Sequence, residues 1–318
     1  MAKKKLKLKK KFKKRLIILL FITIISLIGI KSYKTYKYHQ TYEYKLLEKN
    51  YTKEETALLL EKLDKTKIEE LLTEEKNEKL IKILNEKYFL IKNLDNYLTY
   101  SEKNPETSLS EVVSLVNVHR DRDYYDNIEE TDTSKGNAML VNKYNALNKD
   151  YEVEDLTNIS KTYSYGDNKK LNKEAYDAFI NLAEDAKKEG YTILIVSSYR
   201  TYKDQEDVWK DYKASFGTKK ADAYAARAGS SEHETGLAID VADYYDKNDK
   251  FEATESFQWM QANAHKYGYI LRYPKGKENI TGYSYEAWHY RYVGIDTATK
   301  VYNEGITYDE YYEYYLKK

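Results

Sequence analysis

The amino-acid sequence predicts an α+β domain, a mainly antiparallel sheet flanked by helices, carried behind a membrane anchor and a helical spacer. Three observations predict it. Residues 16–30, LIILLFITIISLIGI, hold no charge and directly follow a basic run. From about 33 to 105 the chain is rich in Glu and Lys, with Leu and Ile at helical spacing. Beyond residue 106, the β-branched run YTILIVSS (191–198) and the alternating GLAIDVA (236–242) lie among amphipathic helical stretches.

The N-terminal elements come first. Residues 1–15 contain nine lysines and Arg15 with no acid, so the formal net charge of +1 hides a remainder of 43 basic against 52 acidic residues. A nucleic-acid binder would carry its basic footprint on the folded domain, so that class is set aside. Fifteen apolar residues make a helix of roughly 22 Å, short of the ~30 Å hydrocarbon core, but flanking lysines can snorkel and Tyr33 can sit at the interface. IGIKSYKTY offers no spaced pair of small residues for cleavage. Residues 16–31 are therefore read as an uncleaved signal anchor, with a cleaved signal and a secreted product as the alternative. The basic side stays in the cytoplasm, and everything from about residue 32 faces outward.

Residues 32–105 read as short helices of a solvated spacer. Ile68, Leu71 and Leu72, then Leu80, Ile83 and Leu84, then Leu90, Ile91, Leu94 and Leu98 follow helical spacing, and Thr52 with Glu55 and Thr66 with Glu69 match capping boxes. Lys103-Asn-Pro-Glu106 breaks the pattern and sets the domain boundary near 106. In the domain, Asn172 caps a helix to about Glu189, with Tyr176, Phe179, Ala183 and Ala186 on one face and Gly190 ending it. A strand 191–198, a helix 203–213, a strand 236–242 and a helix 254–266 stopped by Gly268 follow. Strands at 269–273 and 288–293 and helices at 297–303 and 308–316 complete the order. The 36 tyrosines read as a compositional bias.

The chain has no cysteine, which excludes disulfides, thiolate metal sites and a lipid-bearing cysteine. Any metal here must use His, Asp or Glu. Three clusters qualify. In SSEHETGLAIDVAD (230–243), strand alternation turns Leu237, Ile239 and Val241 to one side and Ala238 and Asp240 to the other, with His233 in the turn before. In EAWHYRY (286–292), His289 joins them. Two histidines and one aspartate suffice for a catalytic zinc, and Glu286 is placed to take a proton from water, provided it lies in the turn ahead of the strand. In SSYRTYKDQ (197–205), Arg200 at a strand end is a candidate electrophile, and Gln205 and Ser231 are candidate hydrogen-bonding groups for a peptide. His39, His119 and His265 match no motif.

Together these motifs resemble the VanY-type D-alanyl-D-alanine carboxypeptidases, of the wider superfamily with lysostaphin-type and hedgehog-type zinc domains. The likeness rests on SxHxxGxAxD (Ser231, His233, Gly236, Ala238, Asp240), ExWH (Glu286, Trp288, His289) and SxYRxxxxQ (ending Tyr199, Arg200, Gln205), and spans about 110–305. It implies a zinc held by His233, Asp240 and His289, Glu286 as general base and Arg200 as stabiliser of the tetrahedral intermediate. Gln205, Ser231, Tyr199 and Trp288 form the implied substrate-binding set, and the substrate is a peptidoglycan stem peptide losing its terminal D-alanine. Ala287 departs from the proline often found there, which leaves the turn that aims Glu286 without that support. Two alternatives stand beside this expectation: an L,D-carboxypeptidase acting on tetrapeptide stems, and a non-catalytic wall-binding module that kept its zinc site. The expected assembly is a monomer.

Overall fold

The computed structural model describes residues 2–243 and 250–317. The chain forms two compact units, one ending at Leu94 and one starting at Asp95.

The first unit opens with a helix, Ala2–His39, whose apolar residues from Leu16 to Ile30 are exposed. Among the described residues it is the helix long and apolar enough to cross a membrane. Four short helices follow, Tyr42–Glu48, Lys53–Lys62, Lys65–Thr73 and Glu78–Leu84. Leu46, Leu59, Ile68, Leu80 and Ile83 are buried, so the stretch expected to be a solvated spacer has a core of its own. Apolar residues at i, i+3 and i+4 need a facing surface, and short helices supply one to each other. Thr52 and Glu55 form the expected capping box. Thr66 does not cap: Asp64 stands just outside the helix, accepts from the Lys67 N–H and leaves Thr66 inside the first turn. A carboxylate at the positive helix end wins that competition.

The second unit begins earlier than residue 106. Helix Leu94–Lys103 buries Tyr97, whose hydroxyl donates to Asn117 in the next helix, Leu109–Asn117. The Asn-Pro break is therefore a bend between two helices of one unit.

Short strands β1 (Glu129–Glu130) and β2 (Asn145–Ala146) pair in parallel, and β3 (Leu156–Asn158) and β4 (Lys170–Asn172) pair antiparallel. The main sheet contains β5 (Ile193–Ser197), β6 (Ala238–Asp243), β7 (Tyr269–Leu271) and β8 (His289–Tyr292) in the order β5-β6-β8-β7, antiparallel throughout. Helix Lys173–Lys188, capped by Asn172 as expected, buries Tyr176, Phe179, Ala183 and Ala186 in the same core as Leu237, Ile239 and Val241. The remaining expected helices form at Tyr202–Phe216, Glu255–Asn263, Ile295–Glu304 and Tyr308–Tyr311, the last continuing as a π-helical turn to Leu316.

Gly236 explains how the chain enters β6. Its φ of 68° is left-handed, and a Cβ there would stand 2.9 Å from Val153 Cγ1, so no larger residue makes this turn without strain. The turn carries the chain from the 3₁₀ segment Glu232–Thr235 into the strand.

Candidate active site

Strand alternation and register assemble the site. With the odd-numbered apolar residues of β6 in the core, Asp240 is left on the opposite face. The β6–β8 register sets Asp240 against His289, and the β5–β6 register sets it against Ser197. Arg200 follows β5 at that same end. The 3₁₀ segment returns His233 to the strand, so that its Nε2 lies 3.4 Å from Asp240 Oδ1. His289 Nδ1 lies 3.1 Å from the same oxygen. One donor atom from each of His233, Asp240 and His289 falls within 4.8 Å of the others.

This donor set fits a zinc ion. In each histidine the other ring nitrogen is already engaged: His233 Nδ1 is 2.8 Å from the Ser198 carbonyl, and His289 Nε2 is 3.4 Å from Glu232 Oε2. One nitrogen from each ring is thereby left facing Asp240, giving two nitrogens and one oxygen, the count of a catalytic centre with a free position. Burial, with Arg200 adding to it, lowers His233 to about 4 and keeps it neutral, as a ligand must be. Burial opposes protonation of His289 too, but its hydrogen bonds to Asp240 and Glu232 outweigh that and raise it to about 9. A cation bound there replaces that proton.

Glu286 lies ahead of β8, which removes the conflict between positions 286 and 289 that a continuous strand would create. Its N–H donates to the Tyr273 carbonyl at 3.1 Å, and Ala287 beside it is buried in the core, so the turn is held without proline. Glu286 Oε2 is 3.7 Å from His289 Nδ1. Burial pushes its carboxyl up to about 7, against the lowering pull of His289.

Arg200 donates from Nη1 to Gln205 Oε1 at 2.7 Å, and its Nη2 is 3.9 Å from Asp240 Oδ2. Its buried Nε–H meets no hydrogen-bond acceptor among the described residues. Gln205 donates in turn to the Ala226 carbonyl at 2.7 Å. Both ends of its amide are engaged, which makes it a brace for Arg200.

These groups share a cleft of about 450 Å³, and Ser231 and Trp288 line it. Tyr199 is not among the residues that line it. Burial, then Asp204 and Glu234, raise its hydroxyl pKa. Among the lining residues that the sequence reading did not single out, two stand against His289. Tyr273 sets its ring 4.9 Å from that of His289, and Glu232 lies beneath His289. Glu232 had a signal, an acid between Ser231 and His233 in the motif itself; Tyr273 had none among so many tyrosines. The other histidines lie in unrelated contacts: His119 3.1 Å from Glu313, His265 stacked on Tyr302, His39 stacked on Tyr44.

Three donors suited to a metal, a buried carboxylate beside them and a guanidinium in the same cleft define a metallohydrolase-type centre. Residues 168–295 match the family model described as VanY, D-alanyl-D-alanine carboxypeptidase. YodJ of Bacillus subtilis (strain 168), a carboxypeptidase by name, is 37% identical over 221 residues, covering 68% of this chain and 81% of its own length. A D-alanyl-D-alanine carboxypeptidase of Enterococcus faecalis (strain ATCC 700802 / V583) is 32% identical over 58% of this chain and 68% of its own. The solved structure of the LdcB LD-carboxypeptidase is 39% identical, covers 59% of this chain and 91% of that one, and superposes with a TM-score of 0.56. The chain belongs to the VanY family.

Proposed function

We propose that this protein is a zinc-dependent carboxypeptidase that removes the terminal D-alanine from peptidoglycan stem peptides. The observation that carries the reading is the convergence of His233, Asp240 and His289 with Glu286 and Arg200 in one cleft of a VanY-family chain. Zinc, held by His233, Asp240 and His289, supplies Lewis acidity toward the scissile carbonyl and an attacking water. Glu286 takes the proton that water gives up as its oxygen bonds to the carbonyl carbon. The same carboxyl delivers that proton to the departing amine as the C–N bond breaks, releasing D-alanine. Arg200, braced by Gln205, presents its guanidinium in the cleft to the developing oxyanion or to the terminal carboxylate of the substrate. Ser231 and Trp288 contact the peptide.

The N-terminal helix is proposed as an uncleaved signal anchor, with the basic residues of the first fifteen on the cytoplasmic side and the catalytic unit outside, where the wall lies. The protein acts as a monomer, without a nucleic-acid partner.

The likeness to the LdcB LD-carboxypeptidase favours a second specificity, for tetrapeptide stems. A buried Glu286 beside His289 speaks against a module that only binds the wall, since such a module gains nothing from an uncompensated carboxyl there. The test is D-alanine release by the full-length protein in detergent, from a pentapeptide ending D-Ala-D-Ala and from a tetrapeptide ending in one D-Ala. Release that a chelator abolishes and zinc restores is expected, on the pentapeptide. Release from the tetrapeptide alone would move the assignment to the second specificity, and no release from either by zinc-loaded protein would overturn the enzyme.

A further inference from the structure

We infer that Glu232 is a positioning residue for the metal centre, and that a buried ion network reaching the C-terminal helix holds it in place. Its Oε1 accepts from Arg272 Nε at 2.7 Å and from Arg291 Nη1 at 3.1 Å. With that oxygen occupied, Oε2 is turned to His289 Nε2 at 3.4 Å. A carboxylate in that position makes Nε2 the protonated nitrogen and leaves the Nδ1 lone pair directed at Asp240 and the metal position. Without Glu232 the ring is free to choose the other tautomer, in which Nδ1–H would face a cation.

The network does not end at Glu232. Arg272 donates from Nη1 to Asp309 Oδ2 at 2.5 Å and from Nη2 to Asp309 Oδ1 at 3.2 Å, and Asp309 also accepts from Asn142 Nδ2 at 2.8 Å. Arg291 donates from Nε to the Tyr292 carbonyl and from Nη2 to the carbonyls of Asn137 and Met139. Two guanidiniums and two carboxylates thus balance, and each residue is no more than 2% exposed. Burying four charges costs desolvation that their attraction barely offsets, and an apolar replacement of such a set is commonly as stable. Stability therefore does not account for its presence, whereas its place under His289 does. Asn142 and Asp309 both lie outside the matched segment 168–295, so the support of the centre extends beyond the family model.

The inference rests on the metal-centre reading, and the test separates the two. Zinc affinity of the full-length protein in detergent is measured by competition with a chromogenic chelator, and the metal environment by cobalt(II) absorption. Wild-type protein that took up no zinc would remove the metal-centre reading itself. With wild type binding one zinc, Glu232→Asp keeps the charge between the arginines but withdraws the carboxylate from His289. Its zinc affinity is expected to fall about 10- to 100-fold with a changed cobalt spectrum, while the metal-free protein melts as wild type does. The charge-balanced E232Q/R291M variant keeps a neutral acceptor and is expected to retain more affinity than Glu232→Ala/Arg291→Met. Asp309→Asn, one residue further out, is expected to weaken zinc less than Glu232→Asp. Unchanged zinc affinity and cobalt spectrum in Glu232→Asp would overturn the proposal, as would weakening matched by an equal loss of metal-free stability.

Discussion

The two units of the chain use charged residues in opposite ways. In the N-terminal unit the core is largely aliphatic, with Tyr51 also buried, and the charges stay at the surface: Lys76 lies 2.9 Å from Glu55 with both about a fifth exposed, and Lys67 lies 3.1 Å from the more exposed Glu70. In the C-terminal unit Glu232, Arg272, Arg291 and Asp309 are sealed away from water. The residue types are the same, but the energetics are not. Exposed pairs gain little because water already solvates both partners. Buried pairs carry a desolvation cost of several kcal/mol per ion, so a chain keeps them where something else requires them. The difference teaches where to look for function: the fold gives up core volume to charge beneath and around His233, Asp240 and His289, and not in the helical unit.

The sharpest way to break this comparison is Glu286. Glu232 is a buried carboxylate neutralised by two arginines, while Glu286 is a buried carboxylate whose ionised form has no such partner and whose carboxyl rises to about 7. If that difference reflects proton transfer, Glu286→Gln, which preserves size, should lower the rate of D-alanine release by about 10²- to 10⁴-fold with zinc content unchanged. A variant turning over within tenfold of wild type would place the base elsewhere.

Local pattern in the sequence carried much of this, and distance hid the rest. The alternation in GLAIDVA set Asp240 opposite Leu237, Ile239 and Val241, and the four main strands fall within two residues of their expected ends, because period-2 burial and glycine stops are local signals. His233, Asp240, His289, Glu286 and Arg200 could be named because short motifs carry them; that they converge was known only from the fold. The support was not legible. Asp309 and Glu232 are 77 positions apart and meet through Arg272, a pairing that no periodicity encodes. Asp64 displaced Thr66 as a cap because the Thr-x-x-Glu spacing was read without the stronger carboxylate cap two residues ahead of it.

A second, smaller effect sharpens the comparison within the C-terminal unit. Lys143 is a buried cation with, among the described residues, no carboxylate hydrogen-bonded to it: its ammonium donates to the carbonyls of Asp222 and Gly282 and lies 4.2 Å and 4.4 Å from the ring centres of Tyr124 and Tyr283. Burial lowers it to about 8 from 10.5, with Asp222 pulling the other way. The sign follows from proton counting. Between about 8 and 10.5 the unfolded chain holds a proton there that the folded chain has lost, so this residue makes stability rise with pH across that window. Wild type should gain roughly 1–3 kcal/mol relative to Lys143→Met over it, read as the difference in urea unfolding free energy between pH 7.5 and 9.5. A flat difference would mean that the carbonyls and ring faces hold the ammonium charged in spite of burial.

The smallest effect belongs to the helical unit and tests the comparison from its other side. Lys76 and Glu55 meet at 2.9 Å, but Glu55 has a second task, accepting the Thr52 N–H at 2.8 Å in the capping box. Glu55→Ala should therefore destabilise the helical unit through the lost cap, whereas Lys76→Ala should leave its melting within the scatter of the measurement. In a double-mutant cycle the coupling between the two should be near zero at physiological salt and grow only as salt is removed, because water and ions screen a pair this open. A large, salt-insensitive coupling would mean that a solvated pair was behaving as the buried network does, and burial would no longer explain why the two units treat charge differently.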